Sequence, residues 1–171
     1  MPHTAAYKHY QPSESPARSP SRSDQIARVL AQSEAMCRAN GARLTRIRRN
    51  VLEVLYTSHK PLGAYELADL LSPGARRMAP ITVYRALDFL IEQGLAHRLA
   101  SQNAYIATIH GDGGETCAFL ICEECGDVNE ATSRDFADTV SGLVSQAGFR
   151  PRAKVLEITG RCAHCQGAGR H

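Results

Sequence analysis

Tryptophan is absent from this chain and aromatic residues make up only 6% of it. A broad stacking platform for sugars or single-stranded bases is therefore not expected. No apolar run approaches the roughly 18 residues that a membrane helix needs. The first sixteen residues lack the apolar centre of a secretory signal. We expect a cytoplasmic protein with no membrane partner. The sequence also lacks G-x-x-x-x-G-K, H-E-x-x-H and G-x-S-x-G, so neither a small-molecule substrate nor an enzyme is expected.

Charge and cysteine are both unevenly spread over the 171 residues. Residues 24–100 hold eleven Lys/Arg against seven Asp/Glu, a balance of +4. Residues 101–171 hold six against nine, a balance of −3. Five of the six cysteines, all but Cys37, lie in the acidic part. A basic, Cys-poor half beside an acidic, Cys-rich half suggests nucleic-acid binding on one side and metal on the other. In a reducing compartment these cysteines point to metal or redox chemistry rather than disulfides.

Residues 1–23 are rich in Ser, Pro and Arg without apolar periodicity. They read as a disordered tail, either solvated or a basic arm for phosphates. Helical periodicity follows over 24–40, with Gly41 as a stop. A second helix starts after the N-cap Thr45 and runs to about Ser58. A third spans Ala64 to Leu71, with Leu67, Leu70 and Leu71 inward. A fourth begins at Pro80 or Ile81 and ends at Gly94. Its apolar stripe is Val83, Tyr84, Leu87, Leu90 and Ile91, while Thr82, Arg85 and Phe89 lie on another face. Strands at Leu95–Leu99 and Ala104–Thr108 form a hairpin. The last three helices and the hairpin make a winged helix-turn-helix, whose final helix enters the major groove.

A Gly-rich link covers 109–116. Beyond it we expect strands at Cys117–Cys122 and Val128–Thr132, a helix from the cap Ser133 to about Ala147, and a strand at Ala153–Thr159. The fold class is thus α+β. A winged-helix domain (24–108) precedes a small α/β domain (117–166), with a tail at 167–171.

Two C-x-x-C knuckles, Cys122/Cys125 and Cys162/Cys165, are separated by 36 residues. Each follows a strand and can offer two thiolates, so together they complete a tetrahedral zinc site. A thioredoxin-like redox motif would open a helix, whereas the residues after Cys125 look like a strand. Four thiolates leave no open position, so this site is structural.

Arg43-Leu44-Thr45, Arg48, the stretch TVYRALDFLIEQGLAH and the paired knuckles together resemble the ferric uptake regulator superfamily, most closely its zinc uptake branch. The resemblance covers about residues 24–166. It implies a homodimer on double-stranded operator DNA, with residues 117–166 as the dimerisation domain. It also implies one structural and at least one regulatory Zn(II) per chain, and zinc-dependent repression of zinc-uptake genes at AT-rich palindromes. An iron- or peroxide-responsive regulator is the alternative, though the absence of a His-rich sensor run favours zinc.

By the same resemblance Tyr84 and Arg85 face DNA, with Thr82 beside them and Tyr65 near the groove. Tyr84 could equally pack in the core. Arg85 has the reach for a bidentate contact with guanine. Arg43, Arg46, Arg48 and Arg49 are candidates for phosphate contacts. For the regulatory metal, His97, His110, Cys117 and Glu130 offer N, S and O donors suited to Zn(II). His97 shares strand parity with Leu95 and Leu99 and points inward, which a core histidine would also do. The resemblance supports His97 and Glu130 most directly. His110, Cys117 and the substitute Glu115 compete for the middle places, because Thr108 stands where relatives often carry Cys.

Overall fold

The computed structural model describes residues 21–58, 60–72, 78–108, 117–151 and 154–167, with Cys117 and Thr132 entering by their backbone. Helix α1 (Arg22–Ala39) starts two residues before the sequence suggests, because Ser21 and Asp24 form a reciprocal cap. The Ser21 N–H donates to the Asp24 carboxylate at 3.2 Å, and the Asp24 N–H donates to the Ser21 hydroxyl oxygen at 3.3 Å. Leu30, Ser33 and Cys37 are its buried residues, spaced by three and four. Ser33 is satisfied by donating to the Val29 carbonyl at 2.8 Å. Gly41 ends the turn at φ +68°, where a side chain would be strained.

Helix α2 (Arg46–Thr57) buries Val51, Leu52 and Leu55, and α3 (Ala64–Leu70) buries Ala64, Leu67 and Ala68. Leu70 departs from expectation and is 62% exposed. At 100° per residue it falls about 110° from the centre of the stripe made by Ala64, Leu67, Ala68 and Leu71. Helix α4 (Pro80–Glu92) buries Val83, Ala86, Leu87, Phe89 and Leu90. Ile91, expected on the inward stripe, is exposed, and Phe89, expected on another face, is buried. The Arg48 guanidinium lies 3.5 Å from its ring centroid and covers it, so this edge of α4 is closed by α2.

Strands β1 (Ala96–Leu99) and β2 (Ala104–Ala107) pair antiparallel, with His97 opposite Ile106. Leu62 adds a bridge, its N–H and carbonyl bonding Tyr105 at 3.0 and 2.9 Å. The period-two alternation of this hairpin serves two cores. Ala96, Tyr105 and Ala107 close the helical core on one face. Leu99 and Ile106 on the other face join Phe119, Ile121 and Val128 in a second cluster.

That second cluster belongs to a three-stranded sheet. Its strands are β3 (Cys117–Cys122), β4 (Val128–Thr132) and β5 (Val155–Gly160), in the order β4-β3-β5. β4 is antiparallel to β3 and β5 is parallel to it. The parallel pairing requires a crossover, supplied by α5 (Arg134–Gln146). A short helix the sequence did not suggest, α6 (Ala163–Gly167), carries the second knuckle. No described helix is long and apolar enough to cross a membrane. Of the expected segments, the first twenty residues, the link at 109–116 and residues 168–171 lie outside the described residues.

Candidate metal centres and nucleic-acid interface

Parallel pairing of β3 with β5 sets Cys122 opposite Gly160, so both strands end at the same edge of the sheet. The Glu123 N–H bonds the Gly160 carbonyl at 2.9 Å and extends that register into the first knuckle. Gly126, at φ +72°, turns the chain back so that the Cys122 N–H meets the Asp127 carbonyl at 2.9 Å. The four sulfurs of Cys122, Cys125, Cys162 and Cys165 consequently lie within 4.8 Å of one another. Cys125 Sγ and Cys162 Sγ are 3.8 Å apart. A zinc–sulfur bond of about 2.3 Å implies a tetrahedral S–S edge of about 3.8 Å, so the cluster fits zinc.

The electrostatics agree with that fit. Backbone N–H groups of Cys125 and Cys162 bring the Cys122 thiol down to about 6. The Cys165 thiol is pushed far up by its contact with Cys162, by burial and by its other sulfur neighbours. Four sulfurs this close cannot all carry charge without a cation among them. Across the surface Arg161 pairs with Glu124 at 2.7 Å and donates to the Cys165 carbonyl at 3.3 Å, linking the two knuckles.

His97 sits where the hairpin meets the sheet. Its ring is 5.0 Å from that of Phe119, which lies opposite Glu130 in the register. Burial lowers the imidazole pKa and the Glu130 carboxylate partly opposes this. Its Nε2 is buried without a hydrogen-bond partner. The Thr108 hydroxyl, on a residue 6% exposed, is likewise buried and unpartnered. Thr108 continues the hairpin face of His97, its N–H bonding the Leu95 carbonyl at 3.0 Å, and its own carbonyl accepts from Tyr56 Oη at 3.0 Å. Two buried polar groups without partners, one of them under the influence of a carboxylate, suit a polar or cationic ligand better than an apolar filling.

The structure thus sets His97 against Phe119, the register neighbour of Glu130. It places Thr108, which the sequence marked only as standing where relatives carry Cys, on the same hairpin face, with Tyr56, which the sequence did not single out, bonded to it. Cys117 lies two positions before Phe119 in β3 and opposite Thr132 in β4. His110 and Glu115 lie outside the described residues. Among the described residues, the four cysteines are the one cluster of three or more metal-ligating side chains.

On α4, the exposed positions Ile81, Arg85, Asp88 and Glu92 share one face. Thr82 and Tyr84 flank it, both half-buried, and Tyr84 packs against the helical core. Tyr65 on α3 is 67% exposed. Arg43 and Arg46 are exposed, and Arg49 is exposed with a 3.9 Å pairing to Glu34. Arg48 differs from these three, since it is stacked on Phe89 and donates to the Arg43 carbonyl at 2.7 Å. Ile81 is a candidate the sequence reading missed. Its signal is a branched apolar side chain left exposed at the start of the helix, suited to a thymine methyl.

The profile of the ferric uptake regulator family matches residues 39–159. The zinc uptake regulation protein of Escherichia coli (strain K12) is 38% identical over 138 residues, spanning 80% of this chain and 81% of that protein. A solved zinc uptake regulator complexed with zinc and DNA superposes with a TM-score of 0.74 at 38% identity, covering 84% of this chain and 96% of that one. The crystal structure of holo XcZur gives 0.73 at 39% identity, covering 82% and 98%.

Proposed function

Because the chain belongs to the ferric uptake regulator family, we propose that it is a zinc-responsive DNA-binding repressor of zinc-uptake genes, acting as a dimer on AT-rich palindromes. Two separate observations support this reading. One is a closed cluster of four sulfurs at the sheet edge. The other is an orphaned His97 Nε2 at the seam between hairpin and sheet.

The two places serve different ends. Cys122, Cys125, Cys162 and Cys165 would hold a structural zinc, with all coordination positions filled by protein. His97 and Glu130 would hold a regulatory zinc, completed from Cys117, His110 or Glu115. Held by His97 of the hairpin and Glu130 of the sheet, such an ion would supply a cation linking the DNA-reading part to the sheet. His97 is suited to this because burial disfavours the charged imidazolium, and the neutral ring is the form that binds a metal. Glu130 brings the charge that a cation requires, and Phe119 beside them keeps the seam apolar.

The sheet is the surface for the dimer. Among the described residues β5 pairs on one side only. Leu120 and Ile158 are neighbours on the face away from the hairpin and are 43% and 48% exposed. α5 buries none of its residues within the chain, and Leu143 and the nearby Phe149 are more than 60% exposed. An amphipathic helix and a half-covered sheet of this kind call for a partner.

A dimer occupies a palindrome when its recognition helices are about one helical turn apart, roughly 34–36 Å. Fixing the hairpin on the sheet restricts that spacing, so zinc and DNA favour the same arrangement and each must tighten the other by the same factor. We read the chain as a regulator rather than an enzyme on the strength of its family membership. Fluorescence anisotropy with an AT-rich palindromic duplex and a random duplex, titrated with Zn(II) or Fe(II), tests the proposal. Zn(II) should tighten palindrome binding alone. Binding indifferent to Zn(II), or tightened only by Fe(II), would overturn it.

A further inference from the structure

Apart from His97 and the apolar contacts of Leu99 and Ile106, the wing hairpin is attached to the sheet by a carboxylate and two backbone N–H groups. Glu157 on β5 accepts the Ala100 N–H on Oε1 at 2.6 Å and the Ser101 N–H on Oε2 at 3.0 Å. Both donors belong to the turn joining β1 to β2. Register puts Glu157 opposite Phe119, and Phe119 opposite Glu130. Glu130, Phe119 and Glu157 thus form one row across β4, β3 and β5, all on the face that meets the hairpin. Neighbouring strands are about 4.8 Å apart, so the two carboxylate-bearing positions are separated by about 10 Å. Along β1, His97 and Ala100 are three residues and hence about 10 Å apart. The hairpin therefore meets the row at both ends of its first strand.

We propose that Glu157 is a positioning residue that fixes the angle of the wing on the dimerisation sheet and so sets how much zinc is needed for operator binding. This rests on the zinc-responsive reading given above. The apolar contacts of Leu99 and Ile106 with the sheet are non-directional. With His97 as the one polar attachment the hairpin could still pivot, and a directional attachment about 10 Å away restricts that pivot. The paired bonds are charge-assisted and strong for their kind. Burial would push the Glu157 carboxyl up, but the Ser101 hydroxyl and the two N–H groups outweigh it and hold the carboxyl below its usual range. The carboxylate is thus present at neutral pH whether or not metal is bound.

The consequence differs from that of losing a metal ligand. Glu157 stabilises the docked arrangement without touching zinc. Its loss lowers the docked population, and extra zinc can restore it. Glu157→Gln, which keeps the shape but sets an amide NH2 against an N–H donor, should raise the zinc midpoint for operator binding about tenfold. The plateau at excess zinc, the zinc held by the four cysteines and the dimer should be unchanged. Glu157→Ala should behave alike, and Glu157→Asp should fall between. Amide exchange at Ala100 and Ser101, followed in the dimer carrying only its structural zinc, should be slow in the wild type and fast in Glu157→Gln.

An unchanged zinc midpoint with unchanged exchange would overturn the proposal. Loss of the dimer or of structural zinc in both Gln and Ala variants would make Glu157 a folding residue and overturn it too. A wild type whose DNA binding ignores zinc would refute the repressor reading instead, and the exchange measurement would still decide whether Glu157 holds the wing.

Discussion

The imidazole of His97 and the ring of Phe119 lie with centroids 5.0 Å apart and planes tilted by 58°. One belongs to the wing hairpin and the other to the centre of the three-stranded sheet. His97 Nε2 is buried with no hydrogen-bond partner among the described residues, and Glu130 stands opposite Phe119 in the β3–β4 register.

From this follows the effect of His97→Ala. The variant should keep its fold, its dimer and the zinc at the four cysteines, because none of these uses the imidazole. It should bind the operator as weakly with zinc as the wild type does without it. Anisotropy titrations of both proteins, with metal content measured in parallel, give the answer. A wild-type response to zinc in the variant would return His97 to the role of a core side chain.

Arg85 is exposed on the open face of α4. Arg85→Ala should lose about 1–3 kcal/mol of discrimination between operator and mismatched DNA, while phosphate-driven binding to random duplex persists. Competition titrations separate the two. Equal loss on both duplexes would place Arg85 at the backbone.

Arg48 should behave unlike its neighbours. Its guanidinium covers Phe89 and donates to the Arg43 carbonyl, so Arg48→Ala should cost about 1–2 kcal/mol of stability in urea denaturation. The salt slope of non-specific DNA binding should stay as in the wild type. Arg46→Ala, on an exposed side chain, should instead lower that slope by about one and leave stability alone.

Cys162→Ser leaves three thiolates in a closed cluster built between two strand ends. Zinc content should fall by one ion per chain, and residues 117–166 should lose their order together with the dimer. Metal analysis and size-exclusion chromatography provide the check. A dimeric Cys162→Ser protein with full zinc would show that the cluster is not the structural site.

Ile158 is 48% exposed on β5, opposite Leu120. Ile158→Glu should give monomers at micromolar concentration while the winged-helix part keeps its thermal transition. Sedimentation velocity reads the state directly, and an unchanged dimer would move the interface elsewhere.

Much of this protein was legible in its sequence because each element there reports its own periodicity. The helices and strands follow from apolar spacing, caps and left-handed glycines, and the paired knuckles specify a metal by ligand type and spacing alone. Adjacency of the two knuckles needed one tertiary fact, the parallel pairing of β3 with β5. Only the tertiary structure decided which edges of the helical stripes were covered. Phe89 is buried because Arg48 lies over it, and Leu70 stays open because no described element packs beyond α3's narrow stripe. The hairpin likewise reads as ordinary alternation, yet its two faces belong to different cores. Glu157 gave no signal at all, since a lone carboxylate on a strand acquires its role from two backbone N–H groups 56 and 57 residues away. Local pattern fixes what a residue can offer, and long-range packing chooses what it meets.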